Sequence, residues 1–201
     1  MIETVDVNPE LIRWAVERSG RSIEALSRRF PKLSEWEAGE KQPTLRQLES
    51  LAKKTWTPIG YFFLPEPPEE KLPVPDFRTL RDAPIDRPSP ALIDTLHAMQ
   101  RRQWWLREFL IEEGHEPLKF VSSCSTTQAP DTVAAEIRRV LGVREDWASQ
   151  HATWTDALRA LRETADEIGI MVVINGVVGN STSRKLNPDE FRGFVLLDEY
   201  A

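Results

Sequence analysis

The sequence has 201 residues, 40% of them hydrophobic, which is enough to bury a core in one or two domains. Its 26 Lys and Arg stand against 32 Asp and Glu, and the formal net charge of −6 argues against a chain that coats nucleic acid along its whole length. A single cysteine, Cys124, excludes an intramolecular disulfide. No apolar run approaches a membrane span and the N-terminus has no signal-peptide pattern, so we expect a cytoplasmic protein with no membrane partner.

Residues 22–51 predict three short amphipathic helices separated by breakers at Pro31, Gly39 and Pro43. Ser22 is the predicted N-cap of the first of these helices, and Gly39 is predicted to end the second in the left-handed conformation. Thr44 is the predicted N-cap of the third, with Gln47 in the capping-box position. An amphipathic helix over residues 9–19 precedes them. Several short helices around one small core are typical of a helix-turn-helix domain.

The segment WEAGEKQPTL at residues 36–45, with the leucines that follow it, resembles the Xre-type (phage-repressor-like) helix-turn-helix family. The resemblance covers roughly residues 8–64, and we assign residues 1–66 to such a domain. It implies that Trp36 packs in the core behind the turn. Only about six residues separate Phe30 from the Glu-Ala-Gly turn, so the recognition helix is predicted to be about one turn short, which limits base readout.

DNA contacts are predicted for the polar residues around this turn. Residues 1–60 are close to neutral, so we expect modest and salt-sensitive affinity. The predicted phosphate contacts are Arg28, Arg29, Lys32 and Lys41, and the residues nearest to a base edge are Ser34 and Glu35.

Residues 67–89 predict an extended, proline-rich connector, because proline removes a backbone donor and restricts the residue before it. Its apolar residues Leu72, Val74, Phe77 and Leu80 favour a connector that lies on a surface, and a loose linker is the alternative.

Residues 90–201 predict helices followed by a small sheet. A long helix over residues 90–113 carries an apolar stripe, and helices near residues 132–141 and 155–168 end at Gly142 and Gly169. Strands are predicted at residues 170–174 and 193–197, with a polar loop at 175–190 between them. The predicted fold class is therefore mainly α with a small β element (α+β), and the sheet is incomplete.

The predicted helices are followed by the strand Gly-Ile-Met-Val-Val at 169–173, a loop and Arg-Gly-Phe-Val-Leu from residue 192. This order of elements is similar to the beginning of the ImmA/IrrE-type zinc metallopeptidase domain. Those peptidases bind zinc through His-Glu-x-x-His on a helix, which this sequence lacks. His115-Glu116 is followed by Pro117, which would break that helix. His97 and His151 lie far away in sequence.

No catalytic residue and no metal ligand can be assigned from that resemblance. We expect no cofactor in this chain, and zinc only if a longer gene product reaches the His-Glu-x-x-His motif. Such a product would be a zinc metallo-endopeptidase, in which Arg184 and Lys185 are predicted to border a substrate groove. Cys124 is predicted to be a loop cysteine and not a nucleophile.

Two functions follow as hypotheses. The first is a DNA-binding transcriptional regulator of the helix-turn-helix and ImmA/IrrE peptidase type, without its zinc motif, acting in a prophage, toxin-antitoxin or stress circuit on DNA or on a repressor-like or antitoxin-like protein. The second is a non-enzymatic adaptor or dimerisation module, including a homodimer, that has lost specific DNA readout.

Overall fold

The computed structural model describes residues 3–70, 77–78 and 88–200. The described α-helices are α1 Pro9–Arg18, α2 Ile23–Arg29, α3 Leu33–Glu37, α4 Leu45–Thr55, α5 Pro90–Glu112, α6 Pro130–Leu141 and α7 Trp154–Glu167. Short 3₁₀ helices lie at Ile59–Phe63 and Trp147–Gln150. The described strands are β1 Phe77–Arg78, β2 Val177–Val178, β3 Ser181–Lys185 and β4 Gly193–Phe194.

Helices make up most of the regular structure, and β1 and β4 form an antiparallel pair in which Phe77 lies opposite Phe194. A mainly α fold with a small β element is therefore confirmed. The chain forms two compact units, one of residues 1–95 with 180–194 and the other of residues 96–179 with 195–201. Within the described residues, no helix combines the length and the apolar character needed to cross a membrane.

The helices of residues 1–66 enclose one apolar core in the first unit. Trp36 is 2% exposed and its ring centre lies 6.1 Å from that of Phe30, which confirms that Trp36 is a core residue. The other buried members are Val7, Leu11, Ile12, Ala15, Val16, Leu26, Leu33, Leu48, Leu51, Ala52 and Phe62.

The predicted helix caps in this unit are confirmed. The Ser22 side chain accepts a hydrogen bond from the Ala25 amide at 3.2 Å. The Thr44 hydroxyl accepts from the Gln47 amide at 3.3 Å, while the Gln47 side chain accepts from the Thr44 amide at 2.8 Å, which completes the capping box. Gly39 has φ +74°, so its lack of a side chain allows the turn after α3.

The strand predictions near the C-terminus are largely wrong. Residues 170–174 are irregular, and Val173 and Ile174 are exposed. The apolar run has the residue pattern of a buried strand, but no described strand pairs with it. A strand needs such a partner for the hydrogen bonds of its backbone N–H and C=O groups. Of the predicted strand at 193–197, only Gly193–Phe194 forms a strand, β4, and Val195 and Leu197 after it are exposed. The predicted loop at 175–190 contains β2 and β3.

The three predicted helices of residues 90–201 are present as α5, α6 and α7. Gly142 and Gly169 both have positive φ, +66° and +92°, as predicted for the residues that stop α6 and α7. Burial of α6 and α7 is shallow: α6 has no buried residue, and α7 buries only two alanines, Ala157 and Ala165.

Most of the predicted connector lies outside the described residues, including Leu72, Val74 and Leu80. At its start, Glu70 accepts hydrogen bonds from Arg18 at 2.6 and 2.7 Å, so the chain is tied to the C-terminal end of α1 at that point.

Candidate nucleic-acid interface

The turn between α2 and α3 is fixed by its apolar residues. Leu26 of α2 and Leu33 and Trp36 of α3 are buried, and so is Phe30 between the two helices. The Leu33 amide donates a hydrogen bond to the Phe30 carbonyl at 2.9 Å. Burial of Phe30 and Leu33 on either side of the turn leaves the polar residues at its rim in solvent.

Three of the predicted phosphate contacts lie at this turn. Arg28 and Arg29 occupy the last turn of α2, and Lys32 is the residue immediately before α3. All three are exposed, and none forms an ion pair with any residue that the structure describes. We call these residues the turn cations. An unpaired surface cation can neutralise a phosphate without first breaking an internal contact.

The fourth predicted phosphate contact, Lys41, is in a different position. Its ammonium forms an ion pair with Glu35. The carbonyl of Glu35 also accepts hydrogen bonds from the Glu40 and Lys41 amides, at 2.9 and 3.2 Å, so the loop is folded back onto α3. Lys41 is thus paired with Glu35, one of the two residues that were predicted to lie nearest to a base edge.

Helix α3 offers little for base readout. It has only five residues, so the prediction of a short helix is confirmed. Leu33 and Trp36 are buried, Glu35 is paired with Lys41, and Ser34 is the exposed side chain in the helix. Readout of several bases in the major groove needs several free side chains on one helix.

Glu37 adds a negative charge at the end of α3. Partial burial raises the pKa of this carboxyl above its usual range. The positive charge of Arg13 lowers the pKa, and the negative charge of Glu17 raises it further. The Arg13 guanidinium donates to the Glu37 carbonyl at 2.8 Å. Since α3 carries two carboxylates, its own charge disfavours a phosphate, and the turn cations must supply the attraction.

Arg184 and Lys185, the residues predicted to border a groove, lie on β3 in the first unit. Arg184 donates to Asp94 Oδ2 at 2.7 Å and its side chain is only 17% exposed, whereas Lys185 is exposed. Arg184 also lines a cleft of about 560 Å³ together with Trp56 and Lys53 of the α4 end. The sequence does not predict Trp56 or Asp94 as neighbours of Arg184, because nothing in a single sequence links residues as distant as Asp94 and Arg184, which are 90 positions apart.

A zinc site needs several metal-binding side chains close together. Among the described residues, no three His, Cys, Asp or Glu side chains are grouped so that they could hold a metal ion. The rings of His151 and Trp147 pack in a T-shaped arrangement, with ring centres 6.1 Å apart. Cys124 is exposed, and Ser123 Oγ is its hydrogen-bonding neighbour at 3.9 Å.

No protein-family model, curated protein or solved structure matches this chain. The resemblances to the Xre-type and ImmA/IrrE-type families thus remain predictions from the sequence.

Proposed function

We propose that the protein is a DNA-binding transcriptional regulator of the helix-turn-helix and ImmA/IrrE peptidase type, in which residues 1–66 contact DNA through the turn cations. The observation that supports the proposal best is that Arg28, Arg29 and Lys32 are exposed together at the turn between α2 and α3 without ion pairs to the described residues.

Binding of this kind has a characteristic salt dependence. Each phosphate that a cation neutralises contributes roughly 0.9 to the slope of log K against log salt, so three contacts give a slope of about −2.7. Sequence preference should be small, because Ser34 is the exposed side chain that α3 offers to base edges. Contact with phosphates therefore dominates the affinity for DNA. A repressor-like or antitoxin-like protein is the alternative partner.

The test is a titration of labelled duplex DNA, followed by fluorescence anisotropy at salt concentrations from about 50 to about 300 mM. The variant R28A/R29A/K32A should weaken binding at low salt and flatten the slope by about 2.7. The matched control R46A/K53A/K54A removes three exposed cations of α4 and should keep most of the slope. Equal losses in both variants would show that binding does not centre on the turn.

An adaptor without DNA affinity is the second candidate. It is favoured by the exposed aromatic side chains Trp104, Trp105 and Phe109 in the second unit, since large apolar side chains in solvent mark sites of association. No DNA binding even at the lowest salt concentration would support this candidate over the regulator.

The peptidase activity that the resemblance implies needs a His-Glu-x-x-His helix, which residues 1–201 do not contain. Sequencing the source gene beyond codon 201 tests that part of the proposal. An open frame that reaches the motif would support it, and a stop codon directly after Ala201 would leave the regulator or the adaptor without protease activity.

A further inference from the structure

One face of α5 in the second unit carries an ordered pattern of charged and aromatic side chains. From the N-terminal to the C-terminal end, the face bears two arginines, two aromatic residues that alternate with a glutamate, and a final glutamate. The residues are Arg101, Arg102, Trp105, Glu108, Phe109 and Glu112. Spacings of three and four residues place all six side chains along one side of the helix. We call this side the α5 face.

The aromatic centre of the α5 face is exposed. Trp105 and Phe109 are 63% and 44% exposed, and their rings stack with centres 5.7 Å apart and an angle of 10° between their planes. Leu96 and Met99, by contrast, are buried on the other side of the same helix. The stacked pair is therefore preformed in solvent, and covering it would remove apolar surface from water at little cost in side-chain entropy.

Most of the charged side chains on this face form no ion pair with the described residues. Arg101, Arg102 and Glu112 form no ion pair with any residue in the described part of the chain. Glu108 pairs with its sequence neighbour Arg107, whose guanidinium also lies 3.3 Å from Asp198. The face is thus positively charged on the N-terminal side of Trp105 and negatively charged on its C-terminal side.

We propose that the α5 face binds the same face of a second copy of this chain, with the two helices antiparallel and the two-fold axis at Trp105. At a rise of 1.5 Å per residue, the arginines centre roughly 5 Å from Trp105 along the helix and Glu108 and Glu112 roughly 7 to 8 Å on the other side. In the antiparallel pair, each arginine pair therefore meets the glutamates of the other copy. The two Trp105–Phe109 stacks meet at the axis.

The order of the charges selects this arrangement over others. A two-fold interface brings the same patch of both subunits together, so it needs a surface that is complementary to itself under rotation. The α5 face meets that condition because its charge changes sign at Trp105. A parallel pair would place arginine against arginine and glutamate against glutamate, which costs free energy.

The dimer should be weak and dependent on concentration. A single helix pair buries less than the about 800 Å² per partner of standard interfaces. Trp104 and Ile111, which are exposed beside this face, extend the apolar area that a second copy can cover.

Sedimentation equilibrium of the full 201-residue chain over a range of concentrations tests the proposal. We expect a monomer–dimer equilibrium, and Trp105→Ala should raise its Kd at least about ten-fold, because the dimer loses two central side chains. The variants R101E/R102E and E108R/E112R should each be monomeric, since each face then carries a single sign of charge. Mixed together, these two variants should form a heterodimer.

The matched control is R28E/R29E, which makes the same charge change at two adjacent exposed arginines of the first unit and should dimerise like the parent. The mixing experiment also guards against misfolding, since two unfolded variants would not restore each other. The proposal is overturned if the parent stays monomeric at its highest soluble concentration, or if the two charge variants dimerise alone as well as the parent does.

Discussion

The guanidinium of Arg184 lies 5.1 Å from the centre of the Trp56 ring. A second guanidinium, that of Arg21, lies 4.2 Å from the same ring centre, and Arg184 also bonds Asp94. Trp56 thus joins three separate parts of the first unit: the segment after α1, the end of α4 and strand β3. Cation–π contacts of this kind contribute about 0.5 to 2 kcal/mol each, depending on how far the cation is desolvated.

The pair Arg184 and Asp94 should be coupled energetically. We expect the single variants R184A and D94A each to lower the free energy of unfolding, and the double variant to lower it by less than the sum. Partners in one hydrogen-bonded pair typically couple by about 0.5 to 3 kcal/mol. Chemical denaturation of the four proteins gives this coupling, and the exposed neighbour Lys185→Ala serves as the control. Additive losses would show that the ion pair is not formed in solution.

Trp56 itself has a backbone conformation that favours glycine. Its φ is +51°, in the left-handed region at the end of α4, and its carbonyl accepts a hydrogen bond from Arg18 at 3.0 Å. An L-residue pays about 1 to 2 kcal/mol there. Both Trp56→Ala and Trp56→Gly lose the ring contacts, but only glycine adopts this positive φ without the steric cost of a Cβ atom. We therefore expect the glycine variant to be the more stable by about 1 kcal/mol in thermal or urea unfolding.

A buried and an exposed tryptophan, compared with each other, give a further prediction. Trp36→Ala should lower the free energy of unfolding of the first unit by about 3 to 5 kcal/mol, because it empties a large site in the core. Trp104→Ala, which removes the same side chain from a position that is 65% exposed, should change it little. Thermal melts followed by circular dichroism compare them, and similar melting temperatures for the two variants would contradict the core assignment of Trp36.

The features of the fold that the sequence predicted correctly depend on local signals. Ser22, Thr44 with Gln47, and Gly142 each act on residues within one helical turn, so a single sequence contains both partners of every contact. The failures lie at the strands. β4 is held by β1, more than a hundred residues earlier, and hydrophobic runs such as residues 170–174 do not reveal whether a partner strand exists.

In the candidate interface, too, the sequence predicts the local features and not the tertiary contacts. The positions of Arg28, Arg29 and Lys32 at the turn follow from helix boundaries that the sequence predicts well. The pairing of Lys41 with Glu35 depends on how the loop after α3 folds back, and the contacts of Arg184 with Trp56 and Asp94 depend on tertiary structure. Sequence patterns therefore found the charged residues but not which of them are already engaged.

Two carboxyls should give opposite dependence of stability on pH. Burial raises the pKa of Glu37, so the folded state holds its proton more tightly than the unfolded chain does. The stability from that proton is fully present below the ordinary carboxyl pKa and is lost as pH rises through the raised value. Glu37→Gln, which is always neutral, should therefore melt above the parent at neutral pH and together with it below about pH 4.

Glu136 provides the control of opposite sign. The hydrogen bond from Arg139, whose Nε lies 2.8 Å from Glu136 Oε2, lowers the pKa of this carboxyl, so its contribution is present at neutral pH and is lost as pH falls through the lowered value. Glu136→Gln should then melt below the parent at neutral pH, and the difference should shrink in acid. Melting curves of the two variants and the parent at several pH values test both signs. If Glu37→Gln also melts below the parent at neutral pH, the charge of Arg13 outweighs burial at Glu37.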